Sequence, residues 1–173
     1  MSSANFQARF RKVSPAAHPE HVSIISFPAT QVAVLGHRGD PTRIGDSIRR
    51  FITWRKRHRL PLQVSATFNL AYDDPESVAP ENYRMDLCAA TDVEVLPNEF
   101  GVISKTIPVG RCALLRHVGS DDTLRDSVFY LYSQWLPQSG EELREFPIYF
   151  QRVTFFPDVP EHEAITDVFL PLK

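Results

Sequence analysis

The chain of 173 residues lacks any apolar run near the roughly 20 residues that a bilayer-crossing helix needs. A helical membrane span is therefore excluded. Met1 to Phe10 contain no apolar signal core, so the expected location is cytoplasmic. Cysteine is scarce. Cys88 and Cys112 stand far apart in no paired motif and read as buried free thiols. A strong excess of either charge is lacking too. The formal net charge is −2 and the pI is near 6.3, which argues against specific DNA binding by this chain alone. No G-x-S-x-G surrounds Ser139, and no glycine-rich phosphate loop is present. His18-Pro19-Glu20-His21 and Glu161-His162-Glu163 contain metal-ligand types, but their spacing fixes no coordination geometry. No catalytic residue, metal or cofactor is expected.

What is present is a repeat. Sliding the sequence by 80 residues lays 33–54 on 113–134. Ala33, Leu35, His37, Gly39, Asp46 and Ser47 then meet Ala113, Leu115, His117, Gly119, Asp126 and Ser127. About one such identity is expected by chance, so the six point to a repeated structural unit. His37 and His117 hold equivalent places, which shared structure explains more simply than two copies of a catalyst. Two units are too few for a solenoid. They imply one globular domain with pseudo-twofold symmetry and a ligand seam between its halves.

Residues 1–20 are polar, with Pro15 and Pro19, and read as a poorly ordered leader; the domain is expected over 21–173. Val22 to Ile25 and Gln31 to His37 read as strands. Ile44, Ile48, Phe51 and Ile52 form a helical stripe, capped by Asp40 or Thr42 and ended by Pro61. Gln63 to Tyr72 and Tyr83 to Ala89 read as strands, separated by the Asp73-Asp74-Pro75 turn. The second half replays this order. Arg111 to His117 is strand, and Leu124, Val128, Leu131 and Trp135 make a helix ended by Pro137 and Gly140. Ile148 to Phe156 and Ile165 to Leu170 are strands. Late in each half the shift slips: Phe68 and Pro75 meet Phe150 and Pro157 at 82, and Asp86-Leu87 meets Asp167-Val168 at 81. The fold class is α+β. Duplicated β-α-β-β units place two helices, near 43–59 and 123–136, on one face of a mainly antiparallel sheet, with a ligand groove between the halves.

Trp135-Leu136-Pro137-Gln138-Ser139-Gly140, then Pro147 and Phe150-Gln151, resembles the signature of the GyrI-like effector-binding domain. Ala33 to Gly39, Tyr72-Asp73-Asp74-Pro75 and Thr166-Asp167-Val168 with Leu170-Pro171 are similar as well. The resemblance implies a small-molecule-binding domain of the kind found in AraC-type transcription regulators, sensing or sequestering a ligand. Gyrase or a separate DNA-binding protein are the partners it implies. Two alternatives stand beside that reading: a DNA gyrase inhibitory protein acting on a protein partner, and a hydrolase of small electrophiles. Phe6 to Pro15 is faintly similar to the end of a regulator's DNA-binding half, which permits a fragment of a longer protein.

Gln151 stands where the family has a cation-neutralising glutamate, and Val153 where it has a tyrosine. An amide donates and accepts hydrogen bonds without charge, so a neutral or hydrogen-bonding ligand is expected. Residues two apart share a strand face, and the 82-residue shift maps Gln151 and Val153 onto Asn69 and Ala71. These four are the candidate ligand contacts. The other reading of the two amides is that they satisfy buried backbone groups. Trp54, Tyr132 and Trp135 are candidate aromatic walls, or core. Arg55-Lys56-Arg57-His58-Arg59, with Arg49 and Arg50, is the candidate interaction patch, or a solvated helix face.

Overall fold

The computed structural model describes residues 22–173. The expected leader, with the His18–His21 cluster and the Phe6–Pro15 stretch, lies outside the described residues. In chain order the elements are β1 (Ser23–Phe27), β2 (Thr30–Arg38), α1 (Ile44–Arg57), β3 (Thr67–Ala71), β4 (Arg84–Ala90) and β5 (Ile103–Ile107). Then come β6 (Gly110–Val118), α2 (Asp121–Tyr130), α3 (Leu136–Ser139), β7 (Ile148–Arg152) and β8 (Ile165–Pro171). Every strand pair within the two units below is antiparallel, and the class is α+β. No helix among the described residues is long and apolar enough to cross a membrane.

The chain divides into two compact units. The central unit is Pro28–Val109, with strand order β3-β4-β2-β5. The terminal unit joins Gly110–Lys173 to the residues up to Phe27, with order β7-β8-β6-β1. The two orders are the same when each strand is matched to its counterpart about 80 residues away. One feature departs from simple β-α-β-β halves. β1 runs into β2 through Pro28 and Ala29 but pairs with β6, while β5 runs into β6 through Pro108 and Val109 but pairs with β2. Each proline ends a strand by removing a ladder donor. β5 was not foreseen, although Pro108, which ends it, falls on Pro28 at the same shift of 80.

In the central unit Ala33, Leu35, Leu87 and Ala89 pack under Phe51 and Trp54 of α1, with Ile44, Leu60, Met85 and Phe100 around them. The helical stripe is rotated from the expected one. Ile48 is 41% exposed, and the buried side of α1 carries Phe51, Trp54 and Arg55. Polar groups sit on that buried side because they are satisfied there. His37 Nε2 donates to the Asp40 carbonyl at 3.0 Å, and Nδ1 accepts from Ser47 Oγ at 2.7 Å. The terminal unit has the same staple: His117 bonds the Ser120 carbonyl at 3.1 Å and Ser127 Oγ at 2.9 Å. These bonds dock a strand end on a helix start, the structural role that their repetition suggested.

In the terminal unit Leu124, Val128, Leu131 and Tyr132 are buried as the stripe required, and Asp121 and Asp122 favour the helix start. Pro137 does not end this helix. It lacks the N–H that the Ser133 carbonyl would use, and a π-helical turn over Leu131–Trp135 absorbs the defect. The helix continues to Ser139 and stops at Gly140, whose φ of 71° suits a residue without Cβ. The opposite sheet face holds Phe27, Tyr149 and Phe169, with ring centroids 5.1–5.2 Å apart. Cys88 and Cys112 are buried free thiols, as expected.

Candidate functional site

Strand register assigns each candidate residue to a face of its own unit. In the central unit Leu35 pairs with Leu87, and Leu87 with Asn69. Leu35 and Leu87 pack against α1, so Asn69, Thr67 and Ala71 lie on the helix-bearing face. Asn69 is buried and its Nδ2 donates to the Phe68 carbonyl at 3.0 Å; Ala71 is half-buried. In the terminal unit Leu115 pairs with Val168, and Val168 with Phe150. His117, two positions along from Leu115, bonds helix α2, so Phe150 is on the helix-bearing face there.

Gln151 therefore faces the other way. It pairs with Asp167, which pairs with Arg116 on the helix-free face. The counterpart of Asn69 is Phe150, at a shift of 81, and that of Gln151 is Leu70. The expected equivalence of Gln151 with Asn69 and of Val153 with Ala71 is corrected by one residue, and a one-residue slip exchanges faces. The cause lies just past β7. Val153 and Thr154 both donate to the Ile165 carbonyl, at 2.9 and 3.2 Å. Two residues opposing one is a β-bulge, and it inserts the extra residue that makes the Pro75–Pro157 shift 82. Val153 sits in this bulge, exposed and beyond the strand.

Trp54 is 2% exposed, inside the core cluster, stacked on Phe51 and His58. Tyr132 is buried, and burial pushes its phenol well above the ordinary range. Trp135 is half-buried in the π-helical turn. The basic run also divides. Lys56, Arg57 and Arg59 are exposed, but Arg55 is buried at 2% exposure and belongs to the interior.

Two features escaped the sequence reading. The first is a polar network on the helix-free face of the central unit. Asp86, fully buried, accepts from Arg38 Nη2 at 3.0 Å, Lys105 Nζ at 2.8 Å and Tyr72 Oη at 2.7 Å. Burial alone would raise its carboxyl; the hydrogen bonds from Lys105 and Tyr72, the Lys105 charge and the Arg38 bond hold it below the usual value. Arg84, beside it, pairs with buried Asp73 through two bonds of 3.0 and 3.1 Å. The signal available was the Asp86–Asp167 match in the repeat. The second feature is Arg55. Its Nε donates to the Leu60 carbonyl at 2.7 Å, Nη1 to Thr67 Oγ1 at 2.7 Å and Nη2 to the Ser65 carbonyl at 2.9 Å. Burial pulls its guanidinium down to about 10. No sequence signal separates it from its exposed neighbours.

Asp86 and Asp167 are the strand carboxylates among the described residues, and both lie on helix-free faces with cationic partners. The strand positions facing the helices carry none. Among the described residues no group of three or more metal-ligating side chains comes together.

One helix laid on one face of a four-stranded antiparallel sheet, twice in one chain, defines an α+β domain of a known binding class. The GyrI-like small molecule binding domain family matches residues 20–173, and the chain belongs to that family. It is 40% identical over 152 residues to the probable transcriptional regulator YgiV of Escherichia coli (strain K12), covering 87% of this chain and 95% of that protein. It is 29% identical over 123 residues to a DNA gyrase inhibitor of Edwardsiella ictaluri, covering 69% and 77%. Among solved structures, the EcmrR C-terminal domain matches with a TM-score of 0.73 at 19% identity, over 90% of this chain and 99% of that one. SAV2435 bound to tetraphenylphosphonium matches with a TM-score of 0.58 at 10% identity, over 88% and 94%. At those identities the two structures speak for the fold. The family and the regulator-like relatives make this a small-molecule-binding domain.

Proposed function

We propose that the chain senses or sequesters a small molecule that is not a lipophilic cation, at the helix-bearing face of the central unit around Asn69, without catalysing its conversion. The observation that carries this is the distribution of carboxylates. A buried cationic ligand needs a carboxylate partner, because desolvating a charge alone costs several kcal/mol. Among the described residues the strand positions on the helix-bearing faces supply no such carboxylate, and the histidines there, His37 and His117, are taken up as staples to Ser47 and Ser127. Ala71, half-buried on the same face, remains a candidate ligand wall. Gln151, beside the Arg116–Asp167 ion pair, is assigned to the scaffold, and so are Trp54 and Tyr132. The domain acts in the cytoplasm with a separate DNA-binding protein as its partner.

Mass spectrometry of small molecules retained by the purified protein identifies the ligand class. Dye titration tests the face. Asn69→Glu is expected to tighten a lipophilic cation about tenfold, the equivalent of a charge-assisted hydrogen bond, while Gln151→Glu changes it less than about twofold. The reverse pattern would move the site to the helix-free face.

The gyrase-inhibitor relative favours a second reading, in which the chain acts on a protein partner. The exposed cations of α1 and its ends, Arg43, Arg49, Arg50, Lys56, Arg57 and Arg59, are the surface for it. A pull-down with purified gyrase, repeated with those cations neutralised, separates this reading from ligand sensing.

A further inference from the structure

We infer that the ligand is an anion, a carboxylate or an equivalent oxyanion, and that Arg55 is the group that selects it. The inference rests on the reading of the helix-bearing face of the central unit as the ligand face.

Among the described residues Arg55 is a buried cation without a counter-ion. Among the described residues its three hydrogen bonds all run to neutral acceptors: two backbone carbonyls and one hydroxyl. A guanidinium has five N–H donors. Three are engaged, and two are left. Buried charges are ordinarily paired, because neutral acceptors repay only part of the desolvation. Asp86, Asp73 and Asp167 all follow that rule in this molecule. Arg55 breaks it.

The position of the charge makes this informative. Nη1 bonds Thr67 Oγ1, and Thr67 shares strand and face with Asn69, two residues on. The rise along a strand puts those two about 7 Å apart. An anion lying over Thr67 and Asn69 would be within reach of the guanidinium, and charge-assisted hydrogen bonds are about twice as strong as neutral ones. The other groups facing this region do not oppose an anion. Ala33, Leu35, Leu87, Ala89 and Trp54 are uncharged, and the His37 and His58 rings are held by Ser47 and by the Trp54 carbonyl. The Arg59–Ala66 connection covers the guanidinium through the Leu60 and Ser65 carbonyls, so a ligand oxyanion would compete with neutral acceptors for the same donors.

The test uses one fluorophore in three charge states: dansylglycine, dansylamide and dansylcadaverine, titrated by fluorescence into the full chain at fixed salt. Dansylglycine is expected to bind at least about tenfold more tightly than dansylcadaverine, a charge-assisted bond against a repelled cation. Asn69→Asp, which adds a carboxylate two residues from Thr67, should cancel that preference without touching Arg55. Arg55→Met should do the same, and Arg55→Lys should keep part of it. If the three probes bind with equal affinity, or the cation binds best, the anion inference fails while the ligand face survives. If none of the three binds, the ligand face itself is wrong. Should Arg55→Met not fold, the probe series on the unaltered protein and on Asn69→Asp still decides.

Discussion

Asp86 and Asp167 occupy the same register position in the two units, yet they are held in different ways. In the terminal unit the residue directly across from Asp167 is Arg116, which grips it with two bonds of 2.8 and 3.0 Å. In the central unit the residue across from Asp86 is Gly36. The cation comes instead from Arg38, two positions along, whose guanidinium folds back over the space a Gly36 side chain would fill. Lys105 arrives from β5, and Tyr72 from the turn after β3. The difference teaches that one topology fixes where a buried carboxylate sits but not who neutralises it. A local pair needs one well-placed arginine; the distributed network needs a glycine, a bulge-free strand end and a third strand.

The largest expected effect breaks that comparison directly. Asp86→Asn removes a fully buried charge from three donors, and about 2–3 kcal/mol of stability should be lost. Asp167→Asn disrupts a pair whose arginine is half exposed, and should cost about 1 kcal/mol. Urea denaturation of both variants at one salt concentration measures the two. Equal losses would mean that the additional donors around Asp86 contribute nothing.

Acid sharpens the same contrast. The Asp86 carboxyl is held below its ordinary value of 3.8, so the unfolded chain takes up its proton first as pH falls. Its contribution is complete above about 4 and is lost as pH drops through the lower folded value. Urea midpoints followed from pH 5 to pH 2 should fall less steeply in Asp86→Asn than in the unaltered protein. Parallel acid limbs would show that Asp86 carries no depressed titration.

These contrasts were only partly legible beforehand. The helices were readable because apolar side chains recur with the helical period, and the repeat placed both. β5 was missed because it pairs outside its own sequence neighbourhood, although Phe27-Pro28 and Ile107-Pro108 already marked it. The expected equivalence of Asn69 with Gln151 fails by one residue, because a bulge at Val153 and Thr154 sits between Gln151 and the proline that carries the 82-residue shift. The shift of 81 at Asp86 and Asp167 was the available warning: a strand pairing with them keeps that shift until a bulge changes it. Arg55 was unreadable in principle, since burial of one cation in a basic run depends on how the helix is rotated.

The smallest effect tests the fold-back of Arg38. A Cβ at Gly36 would lie 3.0 Å from Arg38 Nη1 and 3.2 Å from Asp86 Oδ1. The nearest atom is the end of a flexible side chain, so Gly36→Ala displaces the guanidinium rather than the backbone. Overpacking a strand costs about 1 kcal/mol or more, but alanine also lowers the unfolded chain's entropy, which returns about 0.4–1 kcal/mol. The net change in stability should therefore be small, and stability alone is a poor readout. A double-mutant cycle with Arg38→Ala isolates the contact. Once the guanidinium is gone, the alanine should cost about 0.5 kcal/mol less than it does in its presence, a coupling of the size found between touching residues. Zero coupling would place Arg38 away from Gly36, and the glycine would then have no part in how the central unit neutralises Asp86.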